Sequence, residues 1–85
     1  MKRLVEEVNG EGLEAFLGEK ILLLCANYFY TGKLVGVNEA FVLLADASIV
    51  YETGPWSDST YKDCQAIGSS WYVRIDMIES YGLGK

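Results

Sequence analysis

Two periods of apolar side chains divide the chain. Leu13, Phe16 and Leu17 fall at i, i+3 and i+4, the spacing of one face of a short helix, and Gly18 is placed to end it with a left-handed cap. The pattern predicts a helix over about 10–17; Leu4, Val5 and Val8 carry the spacing upstream, but Asn9, Gly10 and Gly12 weaken helix between them, so a break over 9–12 is expected. From Lys20 the period changes. Ile21 to Ala26 is a continuous apolar run closed by Asn27, which predicts a strand over 20–26 buried on both faces. Phe29 to Val37 is rich in aromatic and β-branched residues and predicts a second strand over 29–37, with Gly32 and Gly36 inside it where a sharp bend or a close backbone approach is wanted. After the polar connection Asn38-Glu39-Ala40, extended chain is predicted over 41–52, curved, with an interruption at Asp46.

Residues 53–69 gather most of the loop-forming types in the protein, including its single proline, Pro55, and read as one long loop. Two short strands are expected after it, at 70–74 and 77–81, with an abrupt turn between them. The order is one short helix, then five strands, in a single domain covering residues 1–85.

A chain of 85 residues buries a smaller share of its surface than a larger domain, and oligomerisation is a natural remedy. With 51% hydrophobic and 22% charged residues it is no disordered tail, and some of its apolar surface is expected to face a partner. The net charge of −5 comes from seven basic and twelve acidic side chains. Lys2, Arg3, Lys20, Lys33, Lys62, Arg74 and Lys85 are scattered, and without a basic run tight, sequence-blind binding of duplex nucleic acid is disfavoured. A local site for a few unpaired bases stays open.

The longest apolar run is too short to cross a bilayer, and Glu6 and Glu7 precede any signal-like stretch, so a soluble, cytoplasmic protein without membrane partners is expected. Cys25 lies in an apolar run and Cys64 in a polar loop, which reads as a buried thiol and a surface thiol with no disulfide. With no His, a zinc site of the common types is not available, and no metal or cofactor is expected. There is no Gly-x-Ser-x-Gly elbow and no phosphate-cradling loop, since Gly82-Leu83-Gly84-Lys85 opens no helix; an enzyme is not expected.

Between residues 13 and 47, the sequence Leu-Glu-Ala-Phe-Leu-Gly-Glu-Lys-Ile-Leu-Leu-Leu leads into Tyr-Thr-Gly-Lys-Leu-Val-Gly-Val-Asn-Glu-Ala-Phe-Val-Leu-Leu-Ala-Asp-Ala. It resembles the first motif of the Sm-like (LSm) family, with Gly32, Leu34, Val37, Asn38, Phe41 and Leu44 at framework positions. Val73, Arg74, Asp76 and Ile78 match the second motif, while Ile75 stands where that motif has glycine. The resemblance implies a mainly β fold: a short N-terminal helix followed by a five-stranded, strongly bent antiparallel sheet forming a small open barrel.

It also implies a base-binding pocket between the turn after the second strand and the turn between the last two strands. Its stacking position falls on Ala40 and its amide position on Val42, and neither side chain performs the role. The polar candidates left are Asn38, Arg74 and Asp76; Asn38 and Asp76 are equally residues that hold their own turns. Arg74 has three readings: stacking on a base, pairing with an acidic neighbour such as Asp76, or lining a ring pore. In the long loop Trp56, Tyr61 and Lys62 combine aromatic faces with a cation, as single-strand contacts do, or else the two aromatics anchor the loop.

In the family, the fourth strand of one subunit pairs with the fifth of the next and closes a ring. The large apolar residues Trp71, Tyr72, Val73, Met77, Ile78 and Tyr81 are the corresponding interface candidates here, with filling of the monomer's own core as the alternative. The expectation is a homo-oligomeric ring that binds short single-stranded RNA through a degenerate uridine pocket, or else a ring scaffold that binds other proteins.

Overall fold

The computed structural model describes residues 12–85, which form a mainly β protein built on one five-stranded antiparallel sheet. The strands are β1 (Lys20–Cys25), β2 (Phe29–Val37), β3 (Phe41–Glu52), β4 (Asp63–Arg74) and β5 (Ile78–Leu83). They lie in the order β4-β3-β2-β1-β5. The apolar spacing at Leu4, Val5 and Val8 and the start of the expected helix lie outside the described residues.

In place of the α-helix expected up to residue 17, Leu13–Phe16 forms a single 3-10 turn. Gly12 and Gly18 both take positive φ, 76° and 89°, and bracket the segment too tightly for more. A 3-10 turn eclipses residues three apart, so Leu13 and Phe16 both pack on the core while Leu17 stays exposed. The Gly18 N–H donates to Leu34 O at 2.8 Å and the Leu34 N–H to Glu19 O at 2.9 Å, which seats the turn on β2.

Ile21, Leu23, Cys25, Leu34, Val42, Leu44, Ala47 and Val73 form the core. β1 contributes alternate residues to it, and Leu22, on its opposite face, is buried as well. That burial on both faces is why the strand reads as an unbroken apolar run rather than an alternation.

Bulges bend the sheet. Lys33 pairs with Ala45 and Thr31 with Ser48, so Asp46 and Ala47 together oppose the single residue Gly32. Asp46 takes φ 50° there. A β-carbon on Gly32 would lie 2.9 Å from Ala45 O and 3.2 Å from Leu44 Cβ, so the two backbones cross where no side chain fits.

The curvature carries the β3–β4 connection to the far end of β5, three positions away in the strand order. The Lys85 N–H donates to Tyr61 Oη at 3.0 Å, and the Gly84 N–H to Lys20 O at 2.9 Å. Thr31, buried in β2, donates its hydroxyl to Ile21 O at 2.8 Å and lies 3.4 Å from the same Tyr61 Oη. The sheet stays open all the same: among the described residues, no strand pairs with the outer edge of β4 or of β5.

β4 is longer than its sequence indicates. It starts at Asp63, so the connection expected over 53–69 is confined to 53–62 and the strand expected over 70–74 covers 63–74. The polar and small residues Asp63 to Ser70 carry no apolar alternation; pairing with β3, from Glu52–Asp63 to Ala45–Ser70, makes them strand. β5 runs to Leu83 because it pairs with β1 as far as Ile21.

Replacing Gly32 with Ala is expected to destabilise the chain by about 1–3 kcal/mol through overpacking against the Ala45 carbonyl. Urea unfolding of the two proteins measures the difference; equal midpoints would show that the bulge gives way freely.

Candidate functional site

Two turns meet at one end of the β3–β4 ladder. The turn joining β2 to β3 is built by Asn38, whose Oδ1 accepts from the N–H groups of Ala40 and Phe41, each at 2.8 Å, while its own N–H donates to Phe41 O at 2.9 Å. The 3-10 turn Ile75–Met77 joins β4 to β5, and the Ile75 N–H donates to Ala40 O at 2.9 Å. Between them lies a shallow depression lined by Glu39, Ala40, Phe41, Arg74, Ile75 and Asp76.

Three of the sequence candidates gather here, and their polar groups are already engaged. Asn38 holds its own turn. Arg74 Nη2 donates to Asp76 Oδ2 at 2.6 Å, a pair exposed on both sides. Of the roles open to Arg74, pairing with Asp76 is the one the single chain displays. An exposed pair of this kind is worth little in stability, at most about 1 kcal/mol, so it yields readily to a competing partner.

On the other side of Arg74 lies a second cavity of about 290 Å³, lined by Cys25, Asn27, Tyr28, Tyr30, Tyr72, Val73, Arg74 and Met77. The Ala26 N–H donates to Met77 O at 3.0 Å, which brings the β1–β2 turn against the β4–β5 turn and frames this cavity. Tyr28 and Tyr30 meet edge to face at 6.4 Å, and Tyr72 meets Phe41 in the same way at 6.2 Å. Arg74 thus lines both depressions, whose walls together carry four aromatic rings. Tyr28 and Tyr30 were not singled out from sequence, and Phe41 only as a framework position; the closely spaced pair of Tyr28, just before β2, and Tyr30 within it is the signal that could have marked the two tyrosines.

At the floor, burial raises the Cys25 thiol above its ordinary value of 9.0, with the Glu79 carboxylate adding to the rise. Burial first, then Cys25 and Tyr28, likewise raise the Tyr30 phenol above 10.0. Both groups are neutral at physiological pH, so the cavity offers hydrogen-bond donors and π faces with one cation at its rim.

The loop candidates lie at the opposite end of the ladder, where Glu52 faces Asp63. Lys62 pairs with Glu52 at 3.3 Å, and Trp56 and Tyr61 flank the Lys85 ammonium, each ring centroid 5.3 Å away. The structure therefore separates Trp56, Tyr61 and Lys62 from Asn38, Arg74 and Asp76.

The interface candidates divide too. Val73 is buried in the core, Ile78 packs against it, and Met77 lines the aromatic cavity. Trp71, Tyr72 and Tyr81 are exposed on the edge strands, and Leu83 joins them at 62% exposure. Tyr81 makes an edge-to-face contact with Phe16 at 6.0 Å.

Among the described residues, no group of His, Cys, Asp and Glu is arranged to hold a metal, and no helix is long and apolar enough to cross a membrane. Comparison with protein-family models and with curated protein sequences gives no match for this chain.

The two thiols should differ sharply toward a disulfide reagent at neutral pH. Exposed Cys64 reacts at once, and buried Cys25 reacts only on unfolding. Because the folded Cys25 keeps its proton to higher pH than the unfolded one, its contribution to stability is full below 9.0 and is lost as pH rises beyond that value. Two fast thiols per native chain would contradict the buried position.

Proposed function

We propose that this chain is a subunit of a closed homo-oligomeric ring of the Sm-like type, in which β4 of one copy pairs with β5 of the next, and that the ring binds short single-stranded RNA. The observation that carries the reading is the open sheet. Among the described residues its two unpaired edges are β4 and β5, the strands the family resemblance joins between subunits, and they present Trp71, Tyr72, Tyr81 and Leu83 to solvent. Exposed edges of this length are ordinarily blunted by Lys, Pro or a covering element.

The RNA part of the reading rests on Arg74 and its aromatic surroundings. Unpaired bases stack on aromatic and guanidinium planes with little regard to sequence, worth about 1–3 kcal/mol per base. Tyr28, Tyr30, Phe41 and Tyr72 supply such planes, and the cation beside them is Arg74. With Ala40 and Val42 at the stacking and amide positions, a preference for uridine is not expected.

A second reading, a ring scaffold for protein partners, is favoured by the charge of −5 and by the engagement of Asn38 and Arg74 within the chain. The two differ in what happens when Arg74 is released. Titration of labelled oligo-U and oligo-A should show salt-dependent binding that falls about tenfold in Arg74→Ala and strengthens in Asp76→Asn, which frees the guanidinium. Absence of binding to both oligomers by the unsubstituted protein would leave the scaffold.

A further inference from the structure

At the end of the ladder away from Arg74, the β3–β4 connection is folded around a single cation. Lys85 Nζ donates to Thr53 O at 2.7 Å, Pro55 O at 2.9 Å and Thr60 O at 3.2 Å. The rings of Trp56 and Tyr61 stand beside it. An ammonium has three N–H donors and no acceptor, so this arrangement uses its whole bonding capacity and covers its remaining sides with π faces.

The cage is built by the loop's own geometry. Gly54 takes φ 71°, the Lys62 N–H donates to Thr53 O at 3.3 Å, and the Asp58 N–H donates to Pro55 O at 3.0 Å, which turns these carbonyls to one point. Glu52, Asp58 and Asp63, against Lys62 alone, make the segment acidic. The tail that delivers Lys85 fits closely: a β-carbon on Gly84 would fall 2.9 Å from Tyr61 Oη and 3.1 Å from the backbone carbon of Ile21.

Holding a loop does not require such a cage. Trp56 is 63% exposed, and loop carbonyls at a surface are satisfied by water. Convergent carbonyls between two aromatic faces form a receptor for a primary ammonium. We propose that loop 53–61 is a binding site for primary alkylammonium groups, the lysine side chain being the natural example, and that the chain's own Lys85 occupies it here. The selectivity follows from the donors: each of the three carbonyls takes an N–H, which a quaternary ammonium lacks, so the site favours a primary ammonium over a quaternary one. This site is independent of the ring and of RNA binding.

Emptying and refilling the cage tests it. In 15N-labelled Lys85→Ala, the Trp56 indole N–H signal should move from its position in the unsubstituted protein. n-Butylammonium should return it saturably toward that position, and tetramethylammonium, at matched ionic strength, should not. Chymotryptic cleavage after Trp56 or Tyr61 should rise about tenfold in Lys85→Ala, as expected of a loop released from local protection, and n-butylammonium should reverse the rise. An unchanged cleavage rate, a non-saturable response, or equal responses to the two ammonium ions would overturn the proposal. Should Lys85→Ala fail to fold, Gly84→Ala offers a second route to the empty cage, because the crowded tail must then lift Lys85 away.

Discussion

Every peptide group in a sheet needs a partner, and this sheet leaves the outer edges of β4 and β5 without one in the described chain. The rest of the molecule is arranged around that constraint. Bulges at Asp46 and in β2 curl the strands, and the Gly32 crossing lets β2 and β3 approach closely. The curl stops short of closure. A curled sheet whose two outer edges are unpaired among the described residues suits the proposed assembly: a head-to-tail contact between two different edges would repeat, and a suitable rotation would close the repeat into a ring.

Three of the seven cations of this acidic chain are engaged by its own groups. Lys62 is paired with Glu52, Arg74 with Asp76, and Lys85 is enclosed by carbonyls. Of these, Arg74 lines two depressions that also carry aromatic residues and lies where the two turns meet, while the others lie at the opposite end of the β3–β4 ladder. Contact with single-stranded RNA would accordingly depend on stacking more than on phosphate neutralisation, with modest affinity and a shallow salt dependence.

The five strands in order were legible because four of them carry apolar or β-branched runs and Gly32 and Gly36 mark the bend. The first half of β4 was not, because Asp63 to Ser70 is strand by pairing with β3 and not by its own pattern. The helical spacing at Leu13, Phe16 and Leu17 fits an α-helix as well as a 3-10 turn, and only the glycines on either side decide between them. At the site, sequence placed Arg74 next to Asp76 but could not bring Tyr28, Tyr30 and Tyr72 together, since they meet through strands that are not neighbours in the chain. The cage around Lys85 was invisible for a different reason. Its acceptors are backbone carbonyls, which no residue pattern encodes.

The most direct measurement is the mass of the particle in solution, by light scattering coupled to size exclusion, across a range of protein concentrations. Pairing of β4 with β5 between copies predicts one species at a fixed multiple of 9.5 kDa, unchanged on dilution. A species at 9.5 kDa throughout would contradict it, and with it the account of why the two edges are left open.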